Sequence, residues 1–563
     1  MSKKVSLRTL WDVKVPMRDG VRLSADIYLP PEDTEAPYPA ILVRTPYDNT
    51  MKLLVETAKF FASNGYAYVI QDVRGRCDSE GDWYPFFNEG PDGYDTIEWI
   101  AKQSWCNGKI GMMGGSYGGW VQWTAAREKP PHLTTMVSTA AGGYFMKELP
   151  FINGIPTPVM LGWLHLVGGR TVQVQLSTGS ASTVDWEKVF YHLPLKTMDE
   201  VLGRTNTVWR EWLSHPNLDD FWKRALFDAE DFKRINIPIL HITGWYDGDQ
   251  PGALFFYEGM VKNSQSRDKQ YILIGPWDHA GTRIPRQQLG GVDFTVAALM
   301  DMNKVHLDWF DYWLKGKEND VAKWKRAKYF IMGVNKWVEE DGAWSSEGVK
   351  QTAYYLHSSG RANTLMGDGN LSPDKPREEP PDKYTYNPED PVIPVMDFDF
   401  YGSNVETPLD NRFILRRDDV LVYTSEPLEK ELMIAGRPVL KLCASSDCPD
   451  TDWFATLADV YPDGRSISLA SGALRARYRD SLEKPELMSP GKAYTFTLEL
   501  DSTCIVFKPG HRIRLAITSS AFPAFARNQN TGNKISEDTE IRIANNTVYH
   551  SKNYPSHILL PTK

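Results

Sequence analysis

Short apolar runs alternate with amphipathic segments through the first 130 residues, and this alternation constrains the fold more than any other feature. Residues 39–45 and 66–73 are almost wholly apolar, as buried parallel strands are, and a segment with helical period and a closing glycine separates them. A third run spans 109–114, with predicted helices before and after it at 91–103 and 120–129. Strands that alternate with helices predict an α/β fold built on a parallel sheet.

The same pattern returns after a break in the middle of the chain. Apolar runs at 237–244 and 271–277 lead to a long helix pattern at 296–316. Between about 144 and 235 the strand signal vanishes and helix formers and tryptophans dominate, which predicts a helical insertion above the sheet. From about 350 onward, strand-like segments separated by turn residues predict an all-β sandwich or jelly roll. Near its start, the proline-rich stretch 377–394 is expected to be a long loop.

Charge and cysteine content exclude several classes of protein. A net charge of −9 over 563 residues argues against nucleic acid as a partner. No stretch approaches 18 apolar residues, so no membrane span is expected, and the N-terminus lacks the apolar segment of a secretion signal. The five scattered cysteines are typical of free thiols in a cytoplasmic protein. We therefore expect a cytoplasmic protein.

The sequence Gly-Gly-Ser-Tyr-Gly-Gly at 114–119 lies between a predicted strand and a predicted helix. G-x-S-x-G in that setting is the nucleophile elbow of α/β-hydrolases, in which the serine occupies a strained turn and its neighbours must be small. The helix that follows directs its first N–H groups toward charge that develops near Ser116. Ser116 is therefore the candidate nucleophile.

A serine hydroxyl needs a base to remove its proton, and the base needs an acid to orient it. In this architecture the acid and then the histidine follow later strands. Asp247 comes directly after the strand at 237–244, and His279 after the strand at 271–277. Asp249 and Asp278 are competitors for the acid. Asp249 lies further from the strand end, and Asp278 is the immediate neighbour of the histidine.

Four motifs in order, RTPYD, GGSYGGW, GWYDG and GPWDH, resemble those of the cocaine esterase (CocE/NonD) family of serine hydrolases. The X-Pro dipeptidyl-peptidases, α-amino acid ester hydrolases and glutaryl acylases are related to that family. The resemblance covers nearly the whole chain. It implies an α/β-hydrolase domain interrupted by a cap and followed by a jelly roll, with the active site where the three meet. The expected boundaries are 1–143 and 236–349 for the catalytic domain, 144–235 for the cap and 350–563 for the jelly roll.

The resemblance also implies the triad Ser116, Asp247 and His279, together with an oxyanion-hole donor in RTPYD, which is Tyr47 here. A tetrahedral oxyanion needs donors placed in advance where its charge will appear, and the N–H of Tyr117 is the expected second donor. The reaction expected is acyl transfer to water through an acyl-enzyme. Neither the sequence nor the resemblance suggests a metal or an organic cofactor.

Two further residues bear on the acyl group. Asp249 follows the triad aspartate by two, where α-amino acid ester hydrolases have an acidic pair that is thought to hold the substrate ammonium. Here the second acid is replaced by Gln250. A carboxylate in a desolvated pocket needs a cationic or donor partner, so either the substrate carries an amine or Asp249 pairs with a protein cation, for example one in the cap. Trp163 falls where the family places an aromatic wall of the pocket.

Other functions stay open at this point. An amidase, acylase or acyltransferase on an amine-bearing substrate would use the same acyl-enzyme. An X-Pro dipeptidyl-peptidase would need extra elements, for which 563 residues leave little room. A carbohydrate-binding protein with an idle hydrolase domain is the non-enzyme alternative. A homodimer through the β domain also stays open.

Overall fold

The computed structural model describes residues 7–171, 184–344, 348–394 and 408–563. Its helices are α1 Lys52–Ser63, α2 Glu89–Ala101, α3 Tyr117–Arg127, α4 Val159–Val167, α5 Trp186–Tyr191, α6 Met198–Val201, α7 Thr207–Ser214, α8 Asp220–Lys223, α9 Ala229–Arg234, α10 Gln250–Asn263 and α11 Met302–Lys315. None of these described helices combines the length and apolar character needed to cross a bilayer.

The strands of the first half of the chain are β1 Arg8–Pro16, β2 Arg22–Leu29, β3 Tyr38–Thr45, β4 Ala67–Asp72, β5 Cys106–Gly115, β6 Leu133–Thr139, β7 Phe151–Ile152, β8 Ile155–Pro156, β9 Ile239–Tyr246, β10 Gln270–Asp278, β11 Gln288–Leu289, β12 Val292–Asp293, β13 Ala327–Ile331 and β14 Lys336–Glu340. Ten of them form one sheet in the order β1-β2-β4-β3-β5-β6-β9-β10-β13-β14. The pairs from β4 through β13 are parallel and the outer pairs antiparallel. Parallel strands direct their carboxyl ends to one edge, where α/β proteins place their sites.

The later strands are β15 Lys350–His357, β16 Asn370–Ser372, β17 Asp382–Tyr386, β18 Leu421–Thr424, β19 Leu432–Gly436, β20 Val439–Ser446, β21 Asp452–Val460, β22 Ser466–Arg475, β23 Tyr494–Glu499, β24 Thr503–Phe507, β25 Arg512–Thr518, β26 Ala544–Ser551, β27 Tyr554–Pro555 and β28 His557–Thr562. They form a β-rich domain that is almost wholly antiparallel. The fold is thus of the α/β-hydrolase type with a C-terminal β-rich domain, as the sequence predicts.

The helices α4 to α9 lie between β8 and β9, so they interrupt the catalytic sheet in sequence. This insertion contacts the β-rich domain through polar contacts. The Asn153 side-chain amide donates to the Ala473 carbonyl at 2.9 Å, and the Tyr478 hydroxyl donates to the Pro216 carbonyl at 3.0 Å. One continuous apolar core runs from the catalytic sheet through the insertion into the β-rich domain.

Two expectations about individual elements are wrong. The helix expected at 296–316 begins only at Met302, because the Asp301 side chain accepts the N–H of Lys304 and caps it there, and 296–298 is a separate 3₁₀ turn. The stretch 377–394 is not only a loop, since it contains β17, which pairs with β26. Asp382 at the start of β17 is buried and accepts from Tyr423 and Ser358, so side-chain bonds fix a segment that its prolines do not favour as a strand.

Candidate active site

Ser116 occupies the sharp turn between β5 and α3, with φ 61° and ψ −128°. This is a strained conformation for a residue with a side chain, and the glycines around it make it sterically feasible. A Cβ at Gly114 would lie 2.7 Å from the Gly118 carbonyl oxygen, and one at Gly119 would lie 2.8 Å from the Thr139 carbonyl oxygen. The turn therefore requires glycine at both positions and presents the Ser116 hydroxyl at the carboxyl edge of the sheet.

Asp247 and His279 lie together at the same edge. Asp247 follows β9 and His279 follows β10, and the His279 Nδ1 is 2.7 Å from the Asp247 Oδ1. The other carboxylate oxygen accepts from the Thr243 hydroxyl at 2.8 Å, and the Asp249 N–H donates to Oδ1 at 3.0 Å. Burial acts to raise the pKa of Asp247, but His279 and these hydrogen bonds outweigh it, and the net shift is downward. Asp247 therefore stays ionised and orients the imidazole.

The charges around His279 favour its protonated form. Burial and the nearby Arg283 guanidinium act to lower its pKa, whereas the carboxylates of Asp249 and Asp247 act to raise it. The carboxylates prevail, and the pKa of His279 is raised to about 9. The imidazole is thus a strong base whose neutral form becomes dominant only in alkaline solution.

Tyr47 lies on the loop after β3, and its hydroxyl accepts a hydrogen bond of 3.0 Å from the Trp163 indole N–H. Trp163 belongs to α4 of the insertion and packs against the rings of Phe86 and Tyr117. Burial raises the pKa of Tyr47, while Trp163 and the Ser116 hydroxyl act in the opposite direction. A neutral phenol that already accepts from an indole has its own proton available for an oxygen next to Ser116.

The side chain of Tyr117 is buried. Its hydroxyl donates to the buried carboxylate of Glu89 at 2.8 Å. Its N–H is the first of α3, and the N–H groups of Gly119 and Trp120 donate to the Ser116 carbonyl. Within the described residues the Tyr117 N–H has no hydrogen-bond partner, so this donor, and not the side chain, is directed at the site.

Asp249 lies against Ser116. Its Oδ2 is 3.5 Å from the Ser116 Oγ and 3.8 Å from the His279 Nδ1. Burial is the largest cause of a rise in the pKa of Asp249 to about 6. A second carboxylate, Glu148, is buried nearby and accepts the N–H groups of Gly143, Tyr144 and Gly252. Burial first and the Asp249 charge second raise the pKa of Glu148 well above its ordinary value.

Gln250 takes no part in this acidic pocket. Its side-chain N–H groups donate to the carbonyls of Gly244, Trp245 and Ser502, and its Oε1 accepts the Ser502 N–H. Ser502 belongs to the β-rich domain. The amide therefore joins the two domains behind the site.

A cavity of about 1200 Å³ opens onto Ser116 and receives side chains from all three regions of the chain. Tyr47 and Asp249 come from the catalytic part, Trp163 from the insertion and Phe454 from the β-rich domain. Most of its lining is apolar, and its charged groups include Asp249, Glu148 and Arg283. A cavity of this kind suits a small molecule with an apolar body and a few polar groups.

Comparison with known proteins gives the family. Residues 19–281 match the family model described as X-Pro dipeptidyl-peptidase (S15 family), and residues 319–559 match that of the X-Pro dipeptidyl-peptidase C-terminal non-catalytic domain. The chain is 34% identical to cocaine esterase from Rhodococcus sp., over 98% of each chain. It belongs to the cocaine esterase family. It is accordingly a serine hydrolase, with carboxylic esters as its class of substrate.

The chain is also similar to solved structures of proteins that are not named esterases. An α-amino acid ester hydrolase superimposes with a TM-score of 0.88 at 26% identity, covering 99% of this chain and 97% of the other. An aminopeptidase from a marine sediment Thaumarchaeota archaeon has a TM-score of 0.86 at 25% identity, covering 99% and 96%. The architecture of this member of the cocaine esterase family is thus shared by proteins that differ in the bond they cleave.

Three polar residues of this family member's site escape analysis of the sequence. Thr243 lies on β9, four residues before Asp247, and no pattern in the sequence marks its hydroxyl as a partner of that carboxylate. Glu148 follows the first insertion residues and has no pattern around it, because backbone N–H groups hold its carboxylate. Arg283, four residues after His279, is indistinguishable in sequence from a solvated arginine.

Proposed function

We propose that the chain hydrolyses esters of amine-bearing carboxylic acids, with Ser116 as nucleophile, His279 as general base and Asp247 as the acid that orients it. The phenol of Tyr47 and the N–H of Tyr117 form the oxyanion hole. The 2.7 Å contact between His279 and Asp247 supports the acid and base roles. The position of both donors beside the Ser116 turn supports the oxyanion hole.

The proposed cycle has two halves, in which Ser116 is first the nucleophile and then the leaving group. Ser116 attacks the ester carbonyl while His279 takes its proton, and the carbonyl oxygen gains negative charge between the two donors. The imidazolium then gives its proton to the departing alcohol, which leaves an acyl-Ser116 ester. Water, deprotonated by His279, attacks this ester, and the imidazolium returns the proton to the Ser116 oxygen as the acid is released.

The observation that carries the choice of acyl group is the pair of carboxylates at the site, the partly exposed Asp249 and the buried Glu148. Asp249 has no cation of the insertion within ion-pair distance among the described residues, and Oδ2 lies 3.5 Å from the Ser116 Oγ. An ammonium on the carbon next to the carbonyl would lie close to this oxygen. Such a charge would offset the desolvation that raises the pKa of Asp249.

The test compares kcat/KM on phenylglycine methyl ester and phenylacetic acid methyl ester, which differ by one amino group. We expect the amino ester to be preferred by about tenfold or more, since one tenfold step is roughly 1.4 kcal/mol of transition-state binding. In Asp249→Asn the ratio should fall toward one, and Ser116→Ala supplies the blank. An unchanged ratio in the Asp249 variant contradicts an ammonium site.

An aminopeptidase-like activity is the second candidate, because an anchor for an ammonium suits a free peptide N-terminus as well. Gly-Pro-anilide and phenylglycine amide test it beside the two esters. Turnover of either amide at a rate close to that of phenylglycine methyl ester favours the peptidase. Turnover of the esters alone favours the esterase.

The proposal places this activity in the cytoplasm. All five cysteines, which lie within the described residues, are free, and Cys106, Cys443, Cys448 and Cys504 are buried. Free thiols are typical of reducing compartments.

A further inference from the structure

Arg283 brings a cation to the catalytic histidine. It follows His279 by four residues, is half-buried and lines the cavity. Its Nη1 donates to the His279 carbonyl at 2.6 Å and to the Thr282 hydroxyl at 3.3 Å. Its Nη2 is 3.5 Å from the His279 Nε2. Two bonds to the loop thus hold the guanidinium beside the nitrogen that exchanges protons with substrate.

The nucleophile turn leaves room for this side chain. A Cβ at Gly115 would lie 2.5 Å from both Nε and Nη2 of Arg283. Gly115 immediately precedes Ser116, so any other residue there would push the guanidinium away from the serine. This glycine therefore serves the placement of Arg283, whereas Gly114 and Gly119 serve the turn itself.

The guanidinium has donors to spare. Among the described residues no carboxylate oxygen lies within 4.0 Å of it, although Asp249 and Asp247 belong to the same site. Its charge nevertheless reaches the site, because it acts to lower the pKa of Asp249, Tyr47 and His279. Bonds to a carbonyl and a hydroxyl use Nη1, and Nη2 contacts the His279 Nε2, which leaves the Nε N–H and the second N–H of Nη2 for an acceptor. A planar guanidinium edge fits the two oxygens of a carboxylate.

We propose that Arg283 binds a carboxylate on the leaving-group half of the substrate. This inference rests on the esterase function proposed above. His279 Nε2 delivers the proton to the departing oxygen, and Arg283 Nη2 lies 3.5 Å from that nitrogen, so a group held by Arg283 is attached to the departing half. Together with the carboxylates beside Ser116, the substrate class is an aminoacyl ester of a hydroxycarboxylic acid. Hydrolysis consumes one water and releases an amino acid and a hydroxy acid.

The experiment uses full-length enzyme and two aryl acetates, 3-acetoxybenzoate and 3-acetoxybenzamide. They share the acyl group and differ only in whether the leaving group carries a carboxylate or a neutral amide. We expect kcat/KM to favour the benzoate by about tenfold or more. Arg283→Gln should bring the ratio to about one, and Arg283→Lys should keep part of it. The matched control is Arg286→Gln, which removes the same charge from an exposed position in the same loop and should keep the full ratio.

Two results overturn the assignment. A wild-type ratio near one, or a ratio that survives Arg283→Gln, shows that Arg283 does not bind the anion. A preference for monophenyl succinate over phenyl acetate, with no preference between the two acetoxy compounds, places the anion on the acyl half and overturns the leaving-group assignment.

A binding measurement separates this inference from the proposed function. Calorimetry of 3-hydroxybenzoate with Ser116→Ala enzyme should give a dissociation constant at least about tenfold lower than with the Ser116→Ala, Arg283→Gln double variant. Equal binding overturns the inference whether or not any ester is cleaved. Labelling of wild-type Ser116 by a fluorophosphonate reports separately on whether the serine is a competent nucleophile.

Discussion

At the scale of single residues, the site is a balance of charges around one imidazole. Asp247 and Asp249 both lie within 4 Å of the His279 Nδ1, at 2.7 Å and 3.8 Å. Arg283 approaches the opposite nitrogen. The carboxylates outweigh the guanidinium, which is why the pKa of His279 rises to about 9 in spite of burial.

This balance predicts the pH dependence of the enzyme. His279, the proposed general base, works only when neutral, so kcat/KM should increase with pH up to about 9, the pKa of His279. Asp249→Asn removes a negative charge that favours the imidazolium, and the limb should therefore move to lower pH. The measurement is a pH profile of kcat/KM on a neutral ester. The control is Asp278→Asn, because the Asp278 carboxylate accepts the Gly281 N–H at 2.7 Å, and it should leave the limb in place. An unmoved limb in Asp249→Asn would contradict the assignment.

The sequence predicts the location of a site residue when that residue directly follows a strand of the parallel sheet. Ser116, Asp247 and His279 each follow a strand of the same parallel sheet, so a reading of strands places them at one edge, and their catalytic roles stay a prediction. Glu148 and Arg283 reach the cavity through loops whose path depends on packing. No spacing in the sequence encodes that path.

At the scale of elements, a buried ion network joins the sheet to the helices beneath the nucleophile. Arg44 on β3 is fully buried, with its Nη1 2.9 Å from a carboxylate oxygen of Glu89 on α2. Its Nε donates to the Gln71 side chain on β4 at 2.9 Å. Glu89 in turn accepts from the Tyr117 hydroxyl, so the network reaches the first residue of α3.

Removal of one partner from this network should be costly. We expect Arg44→Met to destabilise the protein by about 3–5 kcal/mol, because it leaves the buried carboxyl of Glu89 without its cation. Arg18 is 51% exposed and forms an ion pair with Asp95, which lies on α2 as Glu89 does. Arg18→Met removes this surface pair and should cost less than about 1 kcal/mol. The midpoint of urea unfolding, followed by tryptophan fluorescence, measures both. Similar midpoints for the two variants would show that the buried network adds nothing over a surface pair.

Elements with strong periodicity are predictable here, and those that depend on tertiary bonds are not. The apolar runs of β3, β4, β9 and β10 are recognisable from sequence because both faces of a central parallel strand are covered. The strand β17 depends on Asp382 and its partners from other parts of the β-rich domain, and a local pattern rich in proline hides it.

At the scale of the whole molecule, the β-rich domain completes the catalytic part. The Met332 N–H donates to the Cys504 carbonyl, and the Val506 N–H donates to the Met332 carbonyl, both at 3.0 Å, so β24 continues the pairing beyond β13. Phe454 and Phe525 of the β-rich domain line the cavity. The site is therefore incomplete without residues beyond 350.

A fragment of residues 1–349 tests this dependence. We expect it to aggregate or to lose fluorophosphonate labelling at Ser116, because the apolar core it shares with the β-rich domain becomes exposed to water. Size-exclusion chromatography and labelling rates measure the two effects, with the full chain as reference and full-length Ser116→Ala as the labelling blank. A monodisperse fragment that labels at the rate of the full chain would contradict it.

Gln250 and Asp249 are neighbours in sequence but contact different parts of the molecule. The Gln250 amide donates to the carbonyls of Gly244, Trp245 and Ser502 and accepts the Ser502 N–H, while Asp249 beside it lies 3.5 Å from the Ser116 Oγ. A carboxylate at 250 would set an oxygen against those carbonyls, so an acidic pair at 249 and 250 would form at the expense of the bonds that join the two domains. The proposed substrate preference and the stability of the domain junction are therefore linked through two adjacent positions.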